Sequence, residues 1–147
     1  MTDQEMLELA IEQARIGRQE GGIPIGAALV AEGRVLAAGR NRRVQMGSAI
    51  RHGETDALEN AGRLTGDVYR RATMVTTLSP CDMCSGTILL YGIPRVVIGE
   101  NTTFRGPEDY LVARGVELVH MNSDECRRMM AEFIAEHPEL WYEDIGV

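Results

Sequence analysis

The spacing of hydrophobic positions changes several times along the chain, and each change predicts a new element. Residues 4–19 place apolar side chains at helical spacing, which predicts an amphipathic helix: Met6, Leu7, Ala10, Ile11 and Ala14. Residues 25–31 and 34–40 are short runs of strand-forming residues. Glu32-Gly33 between them predicts a hairpin with a tight turn, because glycine accepts a positive φ at little cost.

Downstream of the hairpin, helical and strand-like patterns alternate. Helices are predicted at residues 52–63, 80–91, 109–114 and 123–136, and strands at 72–78, 95–99 and 116–120. Pro80 suits the first turn of its helix, and Ser123 suits the capping position of the last one.

This order of elements predicts an α/β protein: a single domain, residues 1–147, built as a three-layer α/β/α sandwich around a mixed five-stranded sheet. The hairpin should be antiparallel and the later strand–helix–strand units parallel. Ligands of such sheets gather at the carboxyl ends of strands, where helices begin.

Composition and charge narrow the range of partners. The formal net charge is −7, with 15 Lys and Arg against 22 Asp and Glu. This composition argues against a basic surface that binds the phosphate backbone of a nucleic acid. No apolar run approaches the length of a bilayer span, and the acidic N-terminus is unlike a targeting peptide. We therefore expect a cytoplasmic protein that acts on a small molecule, without nucleic acid or membrane as a partner.

Two segments at predicted helix starts carry the candidate chemistry: His52-Gly53-Glu54, and Pro80-Cys81-Asp82-Met83-Cys84. Together they match the H-x-E and P-C-x-x-C signature of zinc deaminases. Cys81 and Cys84 are three residues apart and share one helix face, and His52 supplies a third ligand. One Zn²⁺ per chain would keep a position for water, so that zinc hydroxide is the expected nucleophile and Glu54 the catalytic proton shuttle.

A closed, purely structural zinc site is the main alternative interpretation of this motif. It would need a fourth ligand from Cys126, His120 or His137. Cys126 fits a packed core thiol in an amphipathic helix, His120 ends a strand, and His137 precedes Pro138 in a predicted surface loop. A redox role for the Cys-x-x-Cys pair would leave His52 and Glu54 without a purpose.

Beyond these motifs, the chain resembles the cytidine-deaminase-like superfamily, and within it the fungal-type cytosine deaminases that act on the free base. The resemblance extends over nearly the whole chain. It is carried by EGGIPIG (20–26), HGETDALENAGRL (52–64), LSPCDMCSGTILLYGIPRVVIGEN (78–101) and WYEDIG (141–146).

The resemblance implies hydrolytic deamination of free cytosine to uracil and ammonia, a reaction of pyrimidine salvage, by a homodimer. Asn41 would bind the polar edge of the pyrimidine, and Asp144 would accept from the exocyclic amino group. Phe104 and Trp141 would sandwich or cover the ring, with Asp144 and Trp141 in a C-terminal lid. The resemblance also implies that Ile25 and Leu78 line the pocket, that Ser79 contributes its backbone, and that residues 89–93 could belong to the dimer interface.

The chain departs from the family pattern after Glu54, where an aliphatic residue and then a small one are usual but Thr55-Asp56 stands here. On a helix Asp56 points away from Glu54, so we expect it to stay outside the pocket; inside the pocket it would favour a more basic ring, such as creatinine or an isocytosine-like ring. Guanine, a nucleoside or a tRNA adenosine are further alternative substrates. A zinc-stabilised scaffold without activity is the alternative from another class, and the presence of Glu54 argues against it.

Overall fold

A computed structural model describes all 147 residues of the chain. It contains five strands and eight helices, of which none is long and apolar enough to cross a membrane. The strands are β1 (Gly26–Ala31), β2 (Arg34–Arg40), β3 (Ala72–Leu78), β4 (Arg95–Glu100) and β5 (Glu117–His120). The helices are α1 (Asp3–Gln19), α2 (Arg43–Met46), α3 (Gly53–Ala61), α4 (Gly66–Tyr69), α5 (Asp82–Tyr91), α6 (Glu108–Ala113), α7 (Asp124–Glu136) and α8 (Pro138–Asp144).

The strands form one mixed sheet in the order β2-β1-β3-β4-β5. β1 is antiparallel to both β2 and β3, whereas β3, β4 and β5 run parallel. Glu32 and Gly33 both have positive φ, of 52° and 75°, which gives the hairpin the tight turn that suits the twist of its strands. The predicted mixed five-stranded sheet is confirmed.

Helices cover both faces of the sheet and bury a separate apolar cluster on each. In β4, Val96 and Ile98 face the cluster that includes Ala57 of α3 and Ile88 of α5. Val97, between them, faces the opposite cluster, which α1 and α7 cover. The three-layer α/β/α arrangement is therefore confirmed.

Three helices were not predicted: α2, α4 and α8. The first two are single turns of four residues in connecting segments. Only His137 separates α8 from α7; it is exposed and lies in neither helix, so the predicted surface loop is reduced to this one residue. Pro138 at the first position of α8 is the sequence signal for this helix, because proline is favoured there.

One end of the sheet gathers the start of β1 and the carboxyl ends of β2, β3 and β4, since Gly26 pairs with Arg40 and Leu78 with Glu100. α3 packs closely on this end of β2, where a side chain on Gly39 would lie 2.3 Å from the backbone nitrogen of Ala57. α8 closes the same end over a third apolar cluster that includes Ile25, Leu78 and Trp141.

Candidate active site

Two helix starts bring the three predicted zinc ligands together. His52 is the N-cap residue of α3 and Cys81 the N-cap residue of α5, with Cys84 in the first turn of α5. The donor atoms of these residues all lie within 4.8 Å of one another. His52 Nδ1 is 3.4 Å from Cys81 Sγ and 3.7 Å from Cys84 Sγ, so Nδ1 is the imidazole atom that faces the thiols.

This donor set fits one zinc ion with an open coordination position. Zinc binds nitrogen and sulfur tetrahedrally, and three protein ligands are typical of its catalytic sites. None of the residues considered as a fourth ligand joins the cluster. Cys126 is packed in the α1/α7 cluster, His120 binds Glu108, and His137 packs on Phe133. The structure thus contradicts the closed four-ligand alternative.

The ionisation of the three donors is coupled through their hydrogen bonds. A hydrogen bond from Cys84 lowers the pKa of Cys81 to about 4, and the same bond raises the pKa of Cys84. Burial would lower the pKa of His52, but hydrogen bonds to Asp144 and Cys81 raise it to about 10. Zinc requires deprotonated thiols and a neutral imidazole, so its binding is coupled to the release of protons from Cys84 and His52.

Glu54 projects from the first turn of α3 into a cavity beside these donors and is 4 % exposed. Burial raises its pKa to about 7, and the neighbouring Cys81 thiolate acts in the same direction. A carboxyl group with this pKa can take up or release a proton near neutral pH, as a general acid–base requires.

The cavity is small, and most of its lining residues are apolar. It is lined by Ile25, His52, Glu54, Leu78, Ser79, Cys81, Phe104, Trp141, Asp144 and Ile145. All the predicted site residues except Asn41 and Cys84 are in this lining. Ile145, which directly follows Asp144 as the C-cap residue of α8, also lines the cavity but was not among the predicted site residues. Two signals pointed to it: its position next to Asp144 and its place in the segment WYEDIG (141–146).

Phe104 and Trp141 form two walls of the cavity that are nearly perpendicular. Their ring centroids are 6.2 Å apart and their planes meet at 82°. Two parallel faces are needed to sandwich a flat ring, so a sandwich between them is not the arrangement in this structure. Both side chains line the cavity with their rings nearly at right angles.

Asn41 lies directly after β2, is fully buried and does not line the cavity. Its side-chain nitrogen donates to Asp144 Oδ1 at 2.8 Å, and its side-chain oxygen accepts from the backbone of Arg43 at 3.1 Å. His52 Nε2 is 3.3 Å from the same oxygen of Asp144. Asn41 and His52 therefore hold the carboxylate that faces the cavity.

A second buried carboxylate, Glu108, fixes the loop that carries Phe104. Glu108 accepts a hydrogen bond from Ser79 Oγ at 2.6 Å and lies 2.8 Å from His120 Nε2. Burial would raise the pKa of Glu108, but these two contacts lower it. Ser79 Oγ also accepts from the backbone nitrogen of Gly106 at 3.0 Å, which ties the Phe104 loop to the cavity wall.

Asp56 does not enter the cavity. It is fully buried and pairs with Arg42 and Arg51. The structure thus removes the reason for expecting a more basic ring, which depended on Asp56 in the pocket.

Known proteins match the chain over most of its length. It is 53% identical over 145 residues to a cytosine deaminase of Candida albicans, covering 98% of this chain and 97% of the relative. It is 31% identical over 144 residues to a tRNA-specific adenosine deaminase of Streptococcus pyogenes, covering 90% of each. Among solved structures, one from a study of tRNA:A34 deaminases has a TM-score of 0.72 at 25% identity, covering 86% of this chain and 99% of that one.

The fold also matches a guanine deaminase from Nitrosomonas europaea with a TM-score of 0.73 at 22% identity, over 91% of this chain and 85% of that one. The sequence model of the family described as "Cytidine and deoxycytidylate deaminase zinc-binding region" matches residues 1–100, which include His52, Glu54, Cys81 and Cys84. The chain therefore belongs to the cytidine and deoxycytidylate deaminase zinc-binding family.

Proposed function

We propose that this chain is a single-domain, zinc-dependent cytosine deaminase, which converts free cytosine and water to uracil and ammonia. The observation that carries the proposal is the Asp144 carboxylate, which Asn41 and His52 hold in the wall of a small, mostly apolar cavity beside Glu54. A carboxylate accepts hydrogen bonds only, so it suits the amino group of cytosine. The 53% identity to the Candida albicans cytosine deaminase supports the same substrate.

In the proposed mechanism, His52, Cys81 and Cys84 hold one Zn²⁺. When bound there, zinc supplies a water molecule whose proton is easily removed. Glu54 would take that proton and pass it to the ring nitrogen, and would then move the remaining proton of the attacking oxygen to the amino group, which leaves as ammonia. A carbon–oxygen bond forms at the ring carbon and the carbon–nitrogen bond to the amino group breaks, so that water is consumed for each ammonia released.

The remaining cavity residues would bind and enclose the ring. Asp144 accepts from the amino group, and Asn41, which does not line the cavity, acts on the polar edge of the ring through its hydrogen bond to Asp144. Ile25, Leu78, Phe104 and Trp141 provide apolar walls, with Ser79 offering its backbone at the edge. Closure by α8 would exclude water other than the reacting molecule.

Ammonia release tests this proposal. The zinc-loaded protein is incubated in parallel with cytosine, isocytosine, creatinine, guanine and cytidine, and we expect release from cytosine alone. Ammonia release from another ring but not from cytosine would overturn the proposed substrate and still support zinc-dependent deamination. A protein that holds one zinc per chain and releases ammonia from none of them would instead be a scaffold.

We also propose that the enzyme is a cytoplasmic homodimer. Cysteine ligands suit a reducing compartment. Leu90 and Tyr91 at the end of α5 are 74% and 40% exposed, and Tyr91 lines a groove with Leu58, Leu64 and Ile50. An exposed apolar patch of this kind is typical of a protein interface.

Sedimentation equilibrium checks the dimer, with an expected mass of twice the 16.2 kDa chain. Leu90→Arg places a charge in the patch and should lower the mass to that of one chain. Val35→Arg, at an exposed position of β2 rather than at the end of α5, is the matched control and should leave the dimer intact. A wild-type protein that sediments as one chain would contradict the proposal.

A further inference from the structure

Asp56 is the most deeply buried acidic side chain of the site region, yet the proposed chemistry does not use it. It lies on α3 two residues after Glu54, with no exposed surface, and outside the cavity lining. Burying a carboxylate is costly unless charged or polar groups satisfy both of its oxygens. The partners of Asp56 therefore indicate what it does.

Four groups donate to the two oxygens of Asp56. Oδ2 accepts from the backbone nitrogen of Arg40 at 3.0 Å, from Arg42 Nε at 3.1 Å and from Asn60 Nδ2 at 3.4 Å. Oδ1 accepts from Arg51 Nη1 at 2.6 Å. Both oxygens are thus satisfied, and three of the four donors belong to the stretch from Arg40, the last residue of β2, to Arg51, shortly before α3.

Three of these donors are sequence neighbours of Asn41 and His52. Arg40 and Arg42 flank Asn41 on either side, and Arg51 directly precedes His52. The backbone also joins the two places, because the nitrogen of Arg42 donates to the carbonyl oxygen of Arg51 at 2.9 Å. One carboxylate therefore binds the residues on both sides of Asn41 and the residue before His52.

Asn41 and His52 both contact the same atom, Asp144 Oδ1, at 2.8 and 3.3 Å. A shift of either residue would turn the carboxylate of Asp144. We propose that Asp56 is a positioning residue: it sets the distance between Asn41 and His52, and through them the direction in which Asp144 meets the substrate. The kinetic part of this inference rests on the proposed function, whereas the geometric part does not.

Asp56→Asn tests the proposal, because it preserves size but replaces one acceptor oxygen by a donor that faces arginine or backbone N–H groups. We expect kcat/KM for cytosine to fall at least tenfold, with most of the change in KM, and zinc to remain at one per chain. Trp141 is the only tryptophan and lies on α8 three residues before Asp144. Its fluorescence emission should shift to longer wavelength, because α8 is held less firmly over the cavity.

Leu7→Ala is the matched control for loss of stability alone. Leu7 is buried in α1 within the α1/α7 cluster, whose members include none of the residues of the cavity lining. It should lower Tm but leave KM and the Trp141 emission unchanged. If Asp56→Asn does not fold, the same measurements on Arg42→Gln test the proposal. Arg42 is partly exposed, and this substitution removes only its side-chain contact with Asp56.

Unchanged KM and emission in Asp56→Asn, or in Arg42→Gln when that variant decides, would overturn the proposal. An equal change in the Leu7→Ala control would overturn it as well, because both readouts would then follow stability. A wild-type enzyme inactive on cytosine would refute the proposed function, and the Trp141 emission would still decide whether Asp56 positions Asp144.

Discussion

Replacing Glu54 with glutamine is expected to reduce cytosine deamination by about 10²–10⁴-fold. The carboxamide has nearly the same shape but cannot take up and release a proton. Glu54 is the buried acid of the cavity whose pKa, raised to about 7 by burial and by the Cys81 thiolate, suits proton transfer at neutral pH. Steady-state ammonia release, measured beside the zinc content of the same samples, gives the effect.

Glu136→Gln provides the control, because Glu136 is an exposed glutamate at the end of α7 that lines neither the cavity nor the groove of Tyr91. It removes the same charge and should leave activity within twofold of the wild type, by the small effect usual for surface substitutions. Glu54→Gln should still bind one zinc per chain, because Glu54 is not part of the donor cluster. Full activity in Glu54→Gln would refute the proposed proton shuttle.

Replacing Cys84 with alanine is expected to abolish zinc binding and activity together. Cys84 is fully buried, and its thiol is one of only three donors in the cluster. A ligand at about 1,000 times its Kd stabilises the folded state by about 4 kcal/mol. For a chain of this length that loss corresponds to a fall in Tm of about 8–16 °C. Metal analysis and thermal unfolding with and without added zinc measure the two effects.

The third cysteine offers a matched control within the same chain. Cys126 is as buried as Cys84 but is packed in the α1/α7 cluster. Cys126→Ala should lower Tm modestly through lost packing while retaining one zinc per chain and most of the activity. Loss of zinc in Cys126→Ala, or its retention in Cys84→Ala, would contradict the proposed ligand set.

The sheet could be predicted from the sequence because its strands are short, apolar and separated by clear turns. The hairpin turn at Glu32-Gly33 and the strand over 72–78 match the structure residue for residue. α8 was missed because it has only seven residues and little helical periodicity of its own. Its stability comes from packing Trp141 and Leu140 against the third cluster, which only tertiary structure reveals.

The zinc donors could be predicted because each motif fixes its residues within a few positions of a helix start. The roles of Asn41 and Asp56 could not, since they depend on contacts between distant segments. The side chain of Asn41 donates a hydrogen bond to Asp144, which is 103 positions away in the chain. Asp56 accepts hydrogen bonds from Arg42 and Arg51, which the sequence pattern alone would place on the surface. A buried carboxylate reveals its function only through the donors that surround it.

The contact between Asn41 and Asp144 also has a consequence for how the enzyme folds. Its two residues are 103 positions apart, so the entropy of closing a long loop must be offset before it can form. Local helices and the hairpin can form earlier without it. Recovery of deaminase activity during refolding would therefore report the last stage of assembly, whereas the circular dichroism signal reports the sheet and helices that precede it.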